Sequence, residues 1–392
     1  MKRVIYPATR AVENAVSLPG IRPIRLFPVL WPLWQVETTA EVYDKQDFEL
    51  IDHFIVRAIH EGDIHHRSEL IHFLGLPAGL VERCLAFLQR IGHLTMTESA
   101  LHLTDLGQRS VNEGVRYVAT MSRLTILVER QTGAPFPRPY YDGNVPVLDT
   151  PEIEEGQVAD RTRFRPVVTT AQFNPQVVQW LANRPDRAQY NLPSQFRNLQ
   201  QSAVREGFLP SYLIETADHR ILAYTNVSEK RDEFLEGLCT KTSVEHLIEA
   251  QGSSDPADVW RKWLAQSTTF AAGRLQKTRA GIWQVVLPGT AFGDPPRISL
   301  SRIGSYQFRD NHFIQIWCAD VEIRQRALKE RSLGIATLPE VTCQADLETR
   351  IRDLAGNIEV AAVSIAELRE YAESKGDERR LSRLLSLAQE RA

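Results

Sequence analysis

The sequence contains little sulfur and no long apolar segment. Four cysteines and three methionines occur among its 392 residues, and no apolar run approaches the roughly 20 residues that a membrane-spanning helix needs. The cysteines are far apart and form no CxxC pair, which predicts free, buried thiols in a reducing cytoplasm. No signal-peptide pattern is found, so we expect a cytoplasmic protein. The cysteines are Cys84, Cys239, Cys318 and Cys343.

The sequence also lacks the motifs that would identify a reaction. It has no GxxxxGK[ST] phosphate loop, no GxGxxG turn, no GxSxG nucleophile elbow and no HExxH zinc helix. An HxK phosphodiesterase pair is absent as well, since Ile314 stands two positions after His312. These absences disfavour an enzyme, and the sequence nominates no catalytic residue, cofactor or metal ligand.

What the chain does contain is a regular pattern between residues 48 and 107. Apolar residues recur at helical spacing in three successive stretches, around Ile55, Leu70 and Leu85. Two short apolar stretches suited to strands follow at 93–96 and 101–103, and Thr104 can cap a fourth helix. Glycine, serine and proline mark the predicted helix ends and starts, at Gly62, Ser68, Gly75, Pro77 and Gly92.

This order of three helices, two strands and a helix resembles the winged helix-turn-helix superfamily. Residues 101–107 resemble the wing-to-helix junction of many bacterial winged-helix proteins, and the resemblance spans about a sixth of the chain. In that superfamily the third helix and the wing contact DNA. The resemblance therefore implies duplex DNA as a partner, with these candidate contacts: Arg83, Gln89, Arg90, Ser99 and His102.

The charge of the same segment favours a different use. Between residues 47 and 113, ten carboxylates and five arginines give a net charge of −5 with histidines neutral. DNA binding depends on neutralising phosphates, so dimerisation or contact with another protein stays an alternative. The segment also holds seven of the ten histidines, whose protonation would reduce the negative charge, although their spacing matches no standard zinc site. They are His53, His60, His65, His66, His72, His93 and His102.

Two further segments are candidates for partner or membrane contact. The N-terminal stretch around Trp31 and Trp34 is rich in apolar residues, and its prolines disfavour a continuous helix. It could cover the winged helix, join a partner subunit or lie at a membrane surface. The last predicted helix carries leucines flanked by Arg379, Arg380 and Arg383, so it could bind a partner, or dock on this protein's own body.

A proline-rich stretch, 131–170, separates the winged helix from the rest of the chain. Within it Arg161, Arg163 and Arg165 alternate, so in an extended chain they would point the same way. They could bind phosphate, or pair with the glutamates at 152, 154 and 155.

The fold class predicted from these signals is α+β: an N-terminal winged helix-turn-helix, a mixed α/β body and C-terminal helices. In the body we predict helices at 175–183 and 193–207, helices that begin at Asp255 and Asp320 as caps, a strand at 297–300 and a hairpin around Asp310 and Asn311. The predicted segments are 1–40 (N-terminal extension), 41–130 (winged helix), 131–170 (linker or surface loop), 171–345 (mixed α/β) and 346–392 (C-terminal helices).

Three functions remain open on this basis. The first is a cytoplasmic DNA-binding regulator whose body dimerises or senses a signal. The second is a recognition or scaffold subunit of a multiprotein system such as phage defence. The third is an enzyme without a recognisable motif. The pattern favours the first, and net charge −3 indicates that the whole chain is not a general polyanion binder.

Overall fold

The computed structural model describes residues 5–97, 100–153, 162–242, 244, 254–293 and 297–389. Helices and strands in several sheets make the protein α+β, as predicted. No helix in the described ranges is long and apolar enough to cross a membrane.

The chain divides into two compact units, and each draws on several of the segments predicted from the sequence. The first unit contains residues 1–32, 142–170 and 207–392, and the second contains residues 33–141 and 171–206. The five-segment division stays a prediction. Helices and strands are numbered in the order in which they occur along the described part of the chain.

In the second unit, two long strands pair around an inserted group of helices. Strand β1 (Pro23–Gln46) enters this unit at residue 33 and pairs antiparallel with β4 (Arg116–Glu129). The register is unbroken from Leu33 opposite Glu129 to Gln46 opposite Arg116. The prolines of β1 disfavour a continuous helix, as predicted, and they are compatible with a strand.

The inserted residues, 48–113, form what we call the helical module. Its order of three helices, a two-stranded hairpin and a further helix is the one expected from the periodicity. The sequence predicts an end of the third helix at Gly92, and this helix ends at Arg90. Ser68, predicted at the start of the second helix, lies inside that helix, which begins at Arg67. The elements are α2 (Leu50–His60), α3 (Arg67–Leu74), α4 (Ala78–Arg90), β2 (Leu94–Thr97), β3 (Ala100–Leu103) and α5 (Asp105–Glu113).

A single apolar core holds the module's elements together. Ile55 from α2, Leu70 from α3 and Leu85 from α4 are buried in it, with Leu94 and Leu101 of the hairpin. Burying an aliphatic side chain of this size contributes about 1.5–3 kcal/mol, so the helical stripes are the main source of the module's stability.

The helix predicted at 193–207 is wrong, because most of this stretch is a strand. Strand β6 (Phe196–Thr216) runs through this stretch, and its first residues lie in the second unit. Ser202 donates from its hydroxyl to the Glu37 carbonyl of β1 at 3.0 Å. Pairing with a neighbouring strand thus outweighs local helix propensity. The predicted helix at 175–183 is confirmed as α6 (Gln176–Ala182).

The first unit combines a small set of strands with helices at both ends of its sequence. Strand β5 (Arg165–Pro166) pairs parallel with Val29 and Leu30 of β1, and β7 (Ile221–Tyr224) pairs antiparallel with β6. Two helices of this part are α1 (Ala8–Ser17) and α7 (Glu233–Cys239).

A four-stranded sheet forms another part of the first unit, in the order β10-β11-β9-β8. The hairpin predicted around Asp310 and Asn311 is confirmed, and both residues have positive φ, 48° and 64°, as a two-residue type I′ turn requires. The strand predicted at 297–300 is wrong, because Ser299 caps a short 3₁₀ helix there, Leu300–Arg302. The strands are β8 (Arg274–Lys277), β9 (Trp283–Leu287), β10 (Tyr306–Arg309) and β11 (His312–Cys318).

Helices complete the first unit. Helix α8 (Pro256–Gln266) is capped by Asp255 and α9 (Val321–Ala336) by Asp320, both as predicted. The predicted last helix is two helices, since Gly376 adopts a φ of 67° between them. The C-terminal helices are α10 (Gln344–Asn357), α11 (Ile365–Ser374) and α12 (Glu378–Gln389), packed in one apolar cluster with α9.

Candidate functional site

Helix α4 presents two arginines from the surface of the helical module. Arg83 and Arg90 are both exposed, and they are seven positions apart, so they lie about two turns apart on one side of the helix. Neither guanidinium makes a hydrogen bond or ion pair within the described part of the chain, although Arg90 lies 5.3 Å from the Phe87 ring centre. Gln89 beside them is half-buried.

The other three arginines of the module are held by carboxylates. Arg57 pairs with Glu61 on α2 at 2.7 Å, and Arg109 pairs with Glu113 on α5 at 2.7 Å. Arg67 forms an ion pair with Glu82. Arg83 and Arg90 are therefore the two arginines of residues 47–113 whose charges remain available to a ligand in the described structure.

The hairpin places His102 next to another histidine. His102 is exposed on β3, and its ring centre is 5.2 Å from that of His65. His65 bonds through Nδ1 to the Leu101 carbonyl at 2.8 Å and through Nε2 to Asp63 Oδ1 at 2.8 Å. These two acceptors raise the pKa of His65, the backbone contact most. Ser99, the remaining predicted contact, lies outside the described residues.

Apolar side chains are also exposed on the module. Leu50 and Phe54 lie one turn apart on α2 and are 71% and 51% exposed. Phe73 of α3 and Met96 of β2 are exposed as well. We call Leu50 and Phe54 the exposed stripe of α2. The sequence periodicity identified the buried face of α2, but it did not identify this exposed stripe.

The contact role predicted for Trp31 is wrong. Its side chain is 1% exposed inside the first unit, so it has no surface to offer a partner or a membrane. Trp34, in the second unit, is half-buried, and the Arg130 guanidinium covers its ring at 4.2 Å. Trp34 packs against a cluster that contains Val36 and Ile126, and neither indole belongs to the apolar core of the helical module.

The basic residues of the last helix are mostly engaged by the first unit itself. Arg383 donates to the carbonyls of Val341 at 2.6 Å and Ala336 at 3.2 Å. Arg380 pairs with Asp377 at 3.2 Å. Of the three predicted contacts, Arg379 is the exposed one. This arrangement agrees with the alternative that the last helix docks on the protein's own body.

A basic cleft in the first unit was not identified as a site from the sequence. It has a volume of about 690 Å³, and Arg163, Arg165, Arg302 and Arg309 line it. The alternation of Arg163 and Arg165 in the sequence predicted that their side chains point the same way. The two other arginines come from a distant part of the chain, and no local pattern predicts that they lie beside the first two.

The described residues contain no group of three or more histidine, cysteine or acidic side chains that could hold a metal ion. The histidines of the module have separate environments, and buried His93 bonds through Nε2 to the Tyr117 carbonyl at 2.7 Å. All four cysteines are free thiols. No protein-family model, curated protein or solved structure matches the chain.

Proposed function

We propose that this protein is a non-catalytic regulator that binds duplex DNA through its helical module. In this proposal the module is a winged helix, α4 is its recognition helix and the β2–β3 hairpin is its wing. The order of elements supports this reading. The observation that carries it is the pair Arg83 and Arg90, exposed on α4 and outside any described ion pair.

The side chains of Arg83, Gln89 and Arg90 offer hydrogen-bond donors and acceptors of the kind that contact a DNA groove. An arginine binds a phosphate or the O6 and N7 edge of guanine through two parallel hydrogen bonds, and Gln89 offers an amide to adenine. Exposed His102 stands on the hairpin that would approach the neighbouring backbone. The rest of the protein would dimerise or sense a signal.

Charge sets the expected strength of this binding. With two available arginines, a chain neutralises about two phosphates, which predicts a slope near −2 in a plot of log affinity against log salt concentration. A dimer would double that slope. We therefore expect weak, moderately salt-dependent binding to random DNA and a gain from specific base contacts.

The test is fluorescence polarisation with random and genomic duplexes across a salt series. The double variant Arg83→Gln/Arg90→Gln should weaken binding at least about tenfold, since each charge-assisted contact is worth about 1.5–3 kcal/mol. Arg57→Gln is the matched control, because it removes a module arginine that is already paired with Glu61. Equal affinities for wild type and double variant would contradict the proposal.

The exposed apolar stripe supports a second candidate function. Leu50 and Phe54 would serve a recognition or scaffold subunit in a multiprotein system such as phage defence, in which the module contacts protein. Absence of DNA binding at low salt, at both neutral and mildly acidic pH, would favour this candidate over the first.

A further inference from the structure

We propose that the basic cleft of the first unit binds a phosphate-bearing small molecule of nucleotide size. This site is separate from the helical module, and the inference does not depend on DNA binding. The cleft volume of about 690 Å³ falls inside the range of about 300–1,000 Å³ typical of small-molecule sites.

Two segments from distant parts of the sequence bring the arginines together. Arg163 and Arg165 come from the residues around β5, which pairs with β1 at Leu30. Arg309 ends β10, and Arg302 ends the 3₁₀ helix that precedes it. The turn after Arg309 is tied to β1, because the Leu26 amide donates to the Asn311 carbonyl at 2.8 Å.

The cleft concentrates positive charge in a chain that is negative overall. Its lining contains four arginines and one carboxylate, Asp310. Four positive charges minus one negative charge give +3 with His312 neutral, against −3 for the whole sequence. Such a local excess attracts an anion, because the low-dielectric walls of a cleft concentrate the field of its charges.

The guanidinium groups of these four arginines have few partners. Within the described ranges the side chains of Arg163 and Arg165 make no ion pair or hydrogen bond, although the Arg165 backbone pairs with β1. Arg302 shares a 3.1 Å hydrogen bond with the neutral Gln307 amide. Arg309 stands 3.9 Å from Asp310, beyond hydrogen-bond distance. All four side chains are exposed, so their donors are free to take phosphate oxygens.

The neighbouring groups of the cleft fit an organic part of the ligand rather than a bare ion. Phe164, Tyr306 and Phe308 line it together with Leu26 and Pro28. Phe164 packs against the Tyr212 ring, whose centre is 5.1 Å away. A flat or ribose-like group against these side chains would add apolar contact to the charge pairing.

His312 is the histidine of the lining, and its surroundings exclude it as an anion-holding charge. It is buried, and its Nε2 donates to the Ser254 carbonyl at 3.0 Å. Burial lowers the pKa of His312, with a further contribution from Arg25. The positive charge available to a ligand near neutral pH is therefore that of the arginines.

The experiment is calorimetric titration of the full chain with ATP, pyrophosphate and adenosine in magnesium-free buffer. We expect ATP to bind, pyrophosphate to bind more weakly and adenosine not to bind measurably. The variants Arg163→Gln/Arg165→Gln and Arg302→Gln/Arg309→Gln should each weaken ATP binding at least about tenfold. Since all four side chains are exposed, unchanged thermal unfolding would show that both variants fold.

The matched control is Arg220→Gln/Arg261→Gln, which removes the same charge from the first unit outside the cleft, at arginines already paired with Asp218 and Asp258, and should leave ATP affinity unchanged. Failure of ATP and pyrophosphate to bind would overturn the inference, as would equal binding of adenosine or equal loss in the control. If single-stranded oligonucleotides bind through the four arginines while ATP does not, the cleft is a polymer groove and the small-molecule assignment is wrong. None of these results decides whether the module binds DNA, so the two proposals fail separately.

Discussion

Arg83 and Arg90 are set apart from the other arginines of the helical module by their surroundings. Charge counting treats the module's five arginines alike and finds them outnumbered by carboxylates. The structure shows that Arg57, Arg67 and Arg109 already have acidic partners. The relevant quantity for a ligand is the charge left unpaired at one surface, and only side-chain geometry reveals it.

His93 makes the stability of the protein depend on pH. It is fully buried, and burial is the largest cause of its lowered pKa. Below about pH 6.5 the unfolded chain takes up a proton that the folded histidine resists, so stability falls as the pH drops. We expect a lower urea midpoint at pH 5.5 than at pH 7.5, and a smaller difference in His93→Gln, measured by circular dichroism.

His65 supplies the control for this prediction, because its pKa is raised whereas that of His93 is lowered. Its raised pKa contributes stability that is fully present below the unfolded pKa and is lost as the pH rises through the folded value. Replacing it, in His65→Gln, should therefore make the loss on acidification larger than in wild type. Identical pH dependence in all three proteins would contradict the assignment of these histidines.

At the scale of elements, the junction between β3 and α5 depends on a glycine. Thr104 caps α5 by accepting from the Gly107 amide at 3.2 Å, and α5 then passes close to the chain at His93. A Cβ atom at Gly107 would lie 2.2 Å from the His93 carbonyl oxygen. The segment 104–107 thus needs Thr104 to cap the helix and needs a glycine at position 107 to avoid a steric clash.

We expect Gly107→Ala to destabilise the protein by about 1–3 kcal/mol, the usual cost of overpacking. Gly79→Ala is its matched control, since Gly79 lies in helix α4 with no atom near its added methyl group. Alanine there should leave stability unchanged or raise it by up to about 1 kcal/mol. Urea unfolding curves for both variants measure the difference, and equal midpoints would contradict the steric argument.

The elements predicted correctly share local signals. Asp255 and Asp320 cap the helices assigned to them, and the Asp310–Asn311 pair forms the expected hairpin turn. At 297–300 the local signal was the capping residue Ser299, which the strand prediction overlooked. The stretch 193–207 lacks such a signal, and most of it becomes part of β6 because a neighbouring strand supplies hydrogen-bond partners from more than 150 residues away in sequence.

At the scale of the whole molecule, the exposed stripe on α2 predicts association. Leu50 and Phe54 expose large apolar surfaces on one side of one helix, which is costly in water unless a partner covers them. We expect sedimentation velocity to show concentration-dependent self-association of the full chain and its loss in Leu50→Ser/Phe54→Ser.

Val321→Ser is the control for that experiment, because Val321 is a single exposed apolar residue on α9 in the first unit. It should leave association unchanged. A wild-type chain that stays monomeric at all concentrations would remove self-association as the use of this stripe, and a Val321→Ser effect equal to that of the double variant would show that α2 is not the surface involved.

The sequence by itself determined the helical order of residues 48–113, several helix caps and the β10–β11 turn. These features depend on periodicity and on hydrogen bonds between near neighbours, which are written into a short stretch of residues. Tertiary structure alone decided that Trp31 is buried, that Arg380 and Arg383 bind their own unit, and that Arg163 and Arg165 meet Arg302 and Arg309. Each of these results depends on strand pairing, core packing or charge pairing between residues far apart in the chain, and no local pattern specifies which distant partner a side chain will find.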